Sequence, residues 1–151
     1  MDQTDKKLLQ LLQKDATLTH KQLAGLLNLS TTPIHERIKR LERSGVIAGY
    51  VALLDAEQLN KTLMAYTNVT LKEHTKSYLL KFQDEISKIS EVVECYHIAG
   101  IYDYLLKILV KDMNEYQSVV VNKLAAMENI QNVQSSFVMT KVMHSTRIPI
   151  T

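Results

Sequence analysis

Residues Leu29–Ile47, LSTTPIHERIKRLERSGVI, decide how the rest of the chain is read. Ser30 suits a helix N-cap, and Pro33 then falls at the third helical position, inside the first turn, where no backbone donor is lost. Ile34, Ile38 and Leu41 follow at i, i+4 and i+7 and form one narrow apolar stripe, and Gly45 stops the helix. Thr32, Glu36, Lys39, Arg40 and Arg43 point away from that stripe, with Thr31 and His35 at the exposed N-terminal end. Arg37 falls on the flank of the wheel, where it can hold the helix to its own domain. A helix anchored along one edge and polar on the other is either a solvated surface helix or one shaped to enter a groove.

Its neighbours favour the groove. Thr4–Lys14, TDKKLLQLLQK, predicts a first helix with Leu8, Leu9 and Leu12 along one side. Thr19 and Gln22 have the spacing of a capping box, and Leu23, Ala24, Leu26 and Leu27 supply the buried side of a short second helix. Only Asn28 and Leu29 separate it from Ser30. Asparagine tolerates the left-handed conformation that a sharp turn between helices needs. Two short helices joined so tightly, the second with a polar outer face, form a helix-turn-helix, and Leu29–Ile47 carries its recognition helix. Beyond Gly45, VIAGYVALLD changes to β-type residues and reads as a wing or a connecting strand. It is too apolar to serve the DNA backbone alone and reads mainly as a bridge. The polar stretch Asp55–Thr62, DAEQLNKT, marks the domain boundary.

The second half carries a faint repeat. Leu63–Leu71 predicts a strand, Ser77–Ile89 a helix with Leu79, Phe82, Ile86 and Ile89 on one face, and Val92–Ala99 a strand. Tyr104–Val110, Asn114–Met127 and Val133–Val142 then predict strand, helix and strand again. Tyr78 matches Tyr116, Ile86 matches Leu124 and Val92 matches Ile130, each pair 38 positions apart. The order β-α-β-β-α-β is that of the ferredoxin-like unit, one sheet with helices on one face. The expected fold is therefore α+β: a winged helix-turn-helix domain over 1–54, a linker over 55–62 and a ferredoxin-like domain over 63–151. On the last predicted strand Val138 and Val142 alternate with Phe137, Met139 and Met143, so both of its faces are apolar. A bare face of that kind predicts a partner subunit.

Composition is that of an ordinary globular protein: of 151 residues, 46% are hydrophobic and 23% charged, so one good core or two small ones can be built. Two prolines and four glycines leave little material for flexible linkers. Cys95 is the single cysteine, which excludes an internal disulfide framework and fits a reducing, cytoplasmic setting. No apolar run approaches the roughly 18 residues of a membrane span, and MDQTDKK has no signal-peptide core. The net charge of +2 is modest for a nucleic-acid binder. Through Asn60 eight cations face seven carboxylates, yet four of the eight lie between Arg37 and Arg43. Such a module grips DNA weakly and gains affinity by being presented more than once.

Taken together, TDKKLLQLLQKDA (4–16), LAGLLNLS (23–30), RIKRLERSGVIAGY (37–50) and VVECYHIAGIYDYLLKILVKDM (92–113) resemble the Lrp/AsnC family, the feast/famine regulators, over essentially the whole chain. Asn28 and Asn60 stand where many members have glycine, and Glu36 where a basic residue is common, which bears on the DNA target and leaves the fold alone. The resemblance implies a transcription factor that binds double-stranded DNA, pairs with itself into dimers and assembles further into a ring of four dimers. It also implies a small-molecule effector, usually an amino acid, and no cofactor.

For DNA, Thr31, Thr32, His35, Glu36 and Lys39 are assigned to base edges and Ser30, Arg40 and Arg43 to phosphates, because the start of a recognition helix reaches deepest into the major groove. Gly100-Ile101-Tyr102-Asp103 between two strands is turn chemistry when taken alone. In the family the matching loop borders the effector pocket, with backbone donors for a carboxylate and Asp103 for an ammonium. Tyr102 or Tyr104 would wall that pocket, and Ser136 or Thr140 of a neighbouring subunit would complete it. Cys95 and His97 are two apart, but no second cluster exists to complete a metal site, so they read as core packing. No phosphate loop or nucleophile elbow is present. The competing functions are an architectural DNA-coating protein without effector and a sirohaem decarboxylase, an enzyme of the same architecture that has lost the DNA-reading helix.

Overall fold

A computed structural model describes residues 1–151 and divides into two compact units, Met1–Leu53 with Val142–Thr151, and Leu54–Lys141. The first holds three helices: α1 (Gln3–Lys14), α2 (His20–Leu27) and α3 (Thr31–Arg43). The first two begin where their cap chemistry dictates. Asp2 and Asp5 close a reciprocal capping box on α1, and Thr19 and Gln22 close the anticipated one on α2. Asn28 ends α2 in the left-handed region, φ 54° and ψ 47°, and turns the chain into α3. Ser30 has extended N-cap geometry, but its hydroxyl makes no cap hydrogen bond. Gly45 follows α3 at φ +74°.

Leu8, Leu9, Leu23, Ala24, Ile34, Ile38 and Leu41 form the core of this unit. Each large apolar side chain in it is worth roughly 1.5–3 kcal/mol of transfer free energy. Leu26, expected on the buried side of α2, is 59% exposed. A helix of eight residues has only two turns, and one side of them is filled by Leu23 and Ala24. The stretch after Gly45 forms neither the hairpin of a wing nor a connecting strand, and of its expected readings only the irregular bridge to the next unit remains.

The second unit is a four-stranded antiparallel sheet of β1 (Leu63–Leu71), β2 (Val92–His97), β3 (Tyr104–Val110) and β4 (Ile130–Phe137), ordered β2-β3-β1-β4. Helices α4 (Lys76–Ser87) and α5 (Met113–Ser118) make the two crossovers, and α5 continues as a π-helical turn over Val119–Leu124. This is the ferredoxin-like order. Alternate residues of β1 and β3, among them Ala65, Val69, Leu71, Tyr104, Leu106, Ile108 and Val110, meet Phe82, Ile86, Ile89, Tyr116, Val119 and Leu124 from the helical layer. Within that core Thr67, Tyr116 and Ser135 hydrogen-bond one another, which satisfies three polar groups at once.

The intervening residues of the same strands, including Met64, Tyr66, Leu105, Lys107 and Leu109, lie on the face opposite the helices. Tyr96 joins them from β2, and the Lys107–Glu94 ion pair at 2.6 Å crosses this face.

Three expectations are corrected. The last strand ends at Phe137, not Val142: one further backbone bond, Val138 N–H to the Met64 carbonyl, closes the pairing with β1, and the remaining residues are irregular. Val138, Met139, Val142 and Met143 therefore do not alternate on a strand, and the bare apolar face belongs to β1, β3 and β2. Finally, Val142–Thr151, expected in the ferredoxin-like domain, lies with the N-terminal unit. There the Gln13 side-chain amide brackets the backbone of Ile148, donating to its carbonyl at 3.1 Å and accepting its N–H at 2.6 Å, and Ile150 packs on the helical core.

Candidate nucleic-acid interface and effector loop

Helix α3 presents the outer face anticipated from its sequence. Ile34, Ile38 and Leu41 are buried, while Ser30, Thr31, Thr32, His35, Glu36, Lys39, Arg40 and Arg43 are exposed. A shallow groove of about 590 Å³ runs along Pro33, His35, Glu36, Arg37, Lys39, Arg40 and Arg43, which places these side chains on one surface. His35 meets the His20 ring of α2 edge-on, with centroids 5.1 Å apart. Lys39 pairs with Glu42 at 3.3 Å, and Glu42 also accepts from the Tyr50 hydroxyl at 3.2 Å. Arg43 makes no ion pair within the chain.

Two α3 cations are held from behind. Arg37 Nη1 reaches Asp2 at 2.6 Å and Asp5 at 2.7 Å. Arg40 Nη2 donates to both Asp5 oxygens, at 2.8 and 2.7 Å. Burial alone would raise the Asp5 pKa, but the Asp2 amide and the two guanidinium groups outweigh it and hold the carboxyl below its ordinary value. Arg37 thus takes the holding role considered for it, and Arg40 shares that role while remaining largely in solvent. The partners on α1 were missed from the sequence, where Asp2 and Asp5 entered only as negative charge. Their spacing at a helix start was a signal that pointed to the capping box.

The second site lies at the β2–β3 turn. Gly100 adopts φ +149°, which an L side chain rarely reaches, and Ile101 is 87% exposed. The Tyr102 hydroxyl donates to Gln134 of β4. Asp103 is committed to the fold: one carboxylate oxygen accepts the Leu71 N–H at 2.7 Å and the other pairs with His74 Nε2 at 2.9 Å. Its backbone N–H donates to the Val69 carbonyl, and its carbonyl accepts from Ile98. Burial opposes the charged form, but the Leu71 amide and the His74 ring prevail, and the pKa lies below the usual carboxylate value.

Tyr104, considered for the pocket wall, is instead buried among the helices. It tilts against Phe82 at 4.5 Å, stacks on His97 at 4.7 Å and accepts a hydrogen bond from Gln83 at 2.8 Å. Ser136 pairs with Tyr66 on β1 and Thr140 lies beyond the end of β4, so within one chain neither joins the loop. Cys95 and His97, expected in the core, are exposed on the edge strand β2, where they line an open groove beside Gln83, Ile86 and Ser87 of α4. No cluster of three metal-ligating side chains occurs, and no helix is long and apolar enough to cross a membrane.

A winged helix-turn-helix DNA-binding model matches residues 1–48, and the Lrp/AsnC ligand-binding domain matches residues 64–148. The chain belongs to the Lrp/AsnC family. It is 37% identical over 150 residues to the DNA-binding transcriptional activator DecR of Escherichia coli K12, covering 99% of each chain. To the leucine-responsive regulatory protein of Klebsiella pneumoniae it is 34% identical, covering 99% of this chain and 92% of the relative. Among solved structures, the transcriptional regulator NMB0573 of Neisseria meningitidis, in complex with L-methionine, superposes with a TM-score of 0.95 at 36% identity, covering 99% of this chain and 96% of that one. As an Lrp/AsnC member the protein is a DNA-binding transcriptional regulator with a ligand-binding domain, not an enzyme.

Proposed function

We propose that this Lrp/AsnC regulator reads DNA with the outer face of α3 and answers to an amino acid bound at the Gly100–Asp103 loop. The DNA assignment rests on one observation above the rest: the first turns of α3 expose Thr31, Thr32, His35 and Glu36 while Ile34 and Ile38 lock the opposite side into the core. These four residues with Lys39 read base edges, and Ser30, Arg40 and Arg43 meet phosphates. The effector assignment is supported by the L-methionine complex of the Neisseria meningitidis relative. At the loop, backbone N–H groups beside Gly100 serve the ligand carboxylate, with Tyr102 along the wall. Asp103 acts first by fixing the loop, since both of its oxygens already have partners.

The face of Met64, Tyr66, Leu105 and Leu109 supports sheet-to-sheet dimers, because a single chain leaves these side chains without a second layer. Four such dimers close into an octamer in which neighbouring copies bring Ser136 or Thr140 to the effector loop. Two symmetric heads demand a pseudo-palindromic site with half-sites about one DNA turn apart. The regulator acts in the cytoplasm, a reducing setting that its single free cysteine, Cys95, fits.

The deciding experiment is binding to a DNA fragment from upstream of the protein's own gene, with salt titrated, each of the twenty amino acids added in turn and mass followed by light scattering. Salt-sensitive binding that one amino acid changes together with mass is the expected result. Binding that no amino acid alters would leave the DNA role and remove the effector site. Absence of binding at low salt, to this and to random fragments, would remove the α3 assignment.

A further inference from the structure

We propose that Asp5 is a positioning residue for DNA recognition: from α1 it aims the Arg40 guanidinium at a backbone phosphate. The inference rests on the phosphate role given to Arg40 above. The Asp5 side chain is only 1% exposed, yet it remains charged because its two oxygens accept four hydrogen bonds. These come from the Asp2 amide at 3.0 Å, Arg37 Nη1 at 2.7 Å and Arg40 Nη2 at 2.8 and 2.7 Å. Four is about the full acceptor capacity of a carboxylate, so Asp5 is a saturated and immobile anchor.

The two arginines use that anchor differently. Arg37 is 24% exposed and spends its Nη1 on both Asp2 and Asp5, a strut between α1 and α3. Arg40 is 57% exposed and spends only Nη2, which leaves the N–H groups of Nε and Nη1 without a partner within the chain. Pinned through Nη2, the guanidinium holds its Nη1 and Nε N–H groups in one fixed plane, each able to donate to a phosphate oxygen. Lysine carries its donors on one rotatable ammonium and offers charge without that fixed plane. Asp5 also offsets part of the Arg40 charge, so long-range attraction to DNA is reduced while the aimed donors remain. Binding at this position therefore depends on geometry more than on charge.

The test uses the full-length protein and the fragment upstream of its own gene, with dissociation constants measured across a salt series. Arg40→Ala weakens binding about tenfold and lowers the salt slope by about one. Arg40→Lys, which keeps the charge, stays within about threefold of the alanine variant. Asp5→Asn weakens binding about fivefold in the wild-type background and less than about twofold in the Arg40→Ala background, because its effect passes through Arg40.

Wild-type affinity in Arg40→Lys would overturn the proposal, as would an equal loss from Asp5→Asn in both backgrounds, which is what a merely structural carboxylate produces. Tighter binding by Asp5→Asn would overturn it too, since Asp5 would then be masking the cation. If Asp5→Asn does not fold, the lysine variant decides alone, with its thermal melting measured alongside because Arg40 also bonds the buried Asp5. An Arg40→Ala variant with unchanged affinity and slope would instead remove the phosphate role itself.

Discussion

At the scale of single residues, carboxylates carry more of the organisation than the charge balance implies. Asp5 and Asp103 each sit where burial alone would favour protonation, and each is kept ionised by its partners, the Asp2 amide and two guanidinium groups for Asp5 and the Leu71 amide and His74 ring for Asp103. Their folded pKa values lie below the unfolded value of about 4, so they contribute stability that is fully present above that pH and is lost as pH falls through the folded values. Acid unfolding of the N-terminal unit is therefore expected to begin below about pH 4. Asp5→Asn lowers stability at neutral pH and flattens this acid limb, as melting curves between about pH 2 and 6 would show. A limb unchanged by the substitution would place the acid-sensitive groups elsewhere. In the sequence these aspartates were countable, but their side-chain partners Arg37, Arg40 and His74 lie about 30 or more positions away in the chain, beyond the reach of any helical or strand period.

Secondary-structure elements were the most legible level. The stripe Ile34, Ile38, Leu41 is buried as its spacing requires, and the Thr19–Gln22 capping box starts α2. Asn28 turns the chain at φ 54°. A β-branched side chain resists that conformation, so Asn28→Val costs about 1–2 kcal/mol in denaturant titrations, whereas Asn28→Gly is near neutral. Equal losses from both would mean that the Asn28 side chain, not its backbone conformation, carries the turn. The elements misjudged are those whose ends depend on neighbours. β4 stops at Phe137 because β1, its partner, has only Met64 and Leu63 left to offer at that end. The Asn114–Met127 helix divides into α5 and a π-helical turn, an inserted-residue distortion that no apolar period encodes.

At the scale of the whole molecule, the chain crosses between its two compact units twice, once before Leu54 and again after Lys141. The second crossing brings Ile148 to Gln13 and Ile150 to the helical core. Removing Ile148–Thr151 is expected to lower the stability of the N-terminal unit by about 1–3 kcal/mol, the worth of one partly buried isoleucine and two hydrogen bonds. Hydrogen exchange would report it as faster exchange along α1, with the sheet unit unaffected. Unchanged α1 protection would show that the tail contributes nothing there.

The sequence by itself determined the helix-turn-helix, the exposed polar face of α3, the repeated β-α-β order and the family, because each is written in short-range periods, caps and contiguous motifs. Only the tertiary structure decided that α1 holds the recognition helix through Asp5, that Asp103 and Tyr104 are tied into the fold and that the last ten residues return to the first unit. Those features are pairings between distant residues. Charge and hydropathy show that such groups need partners, but only the folded path of the chain selects which partner each receives.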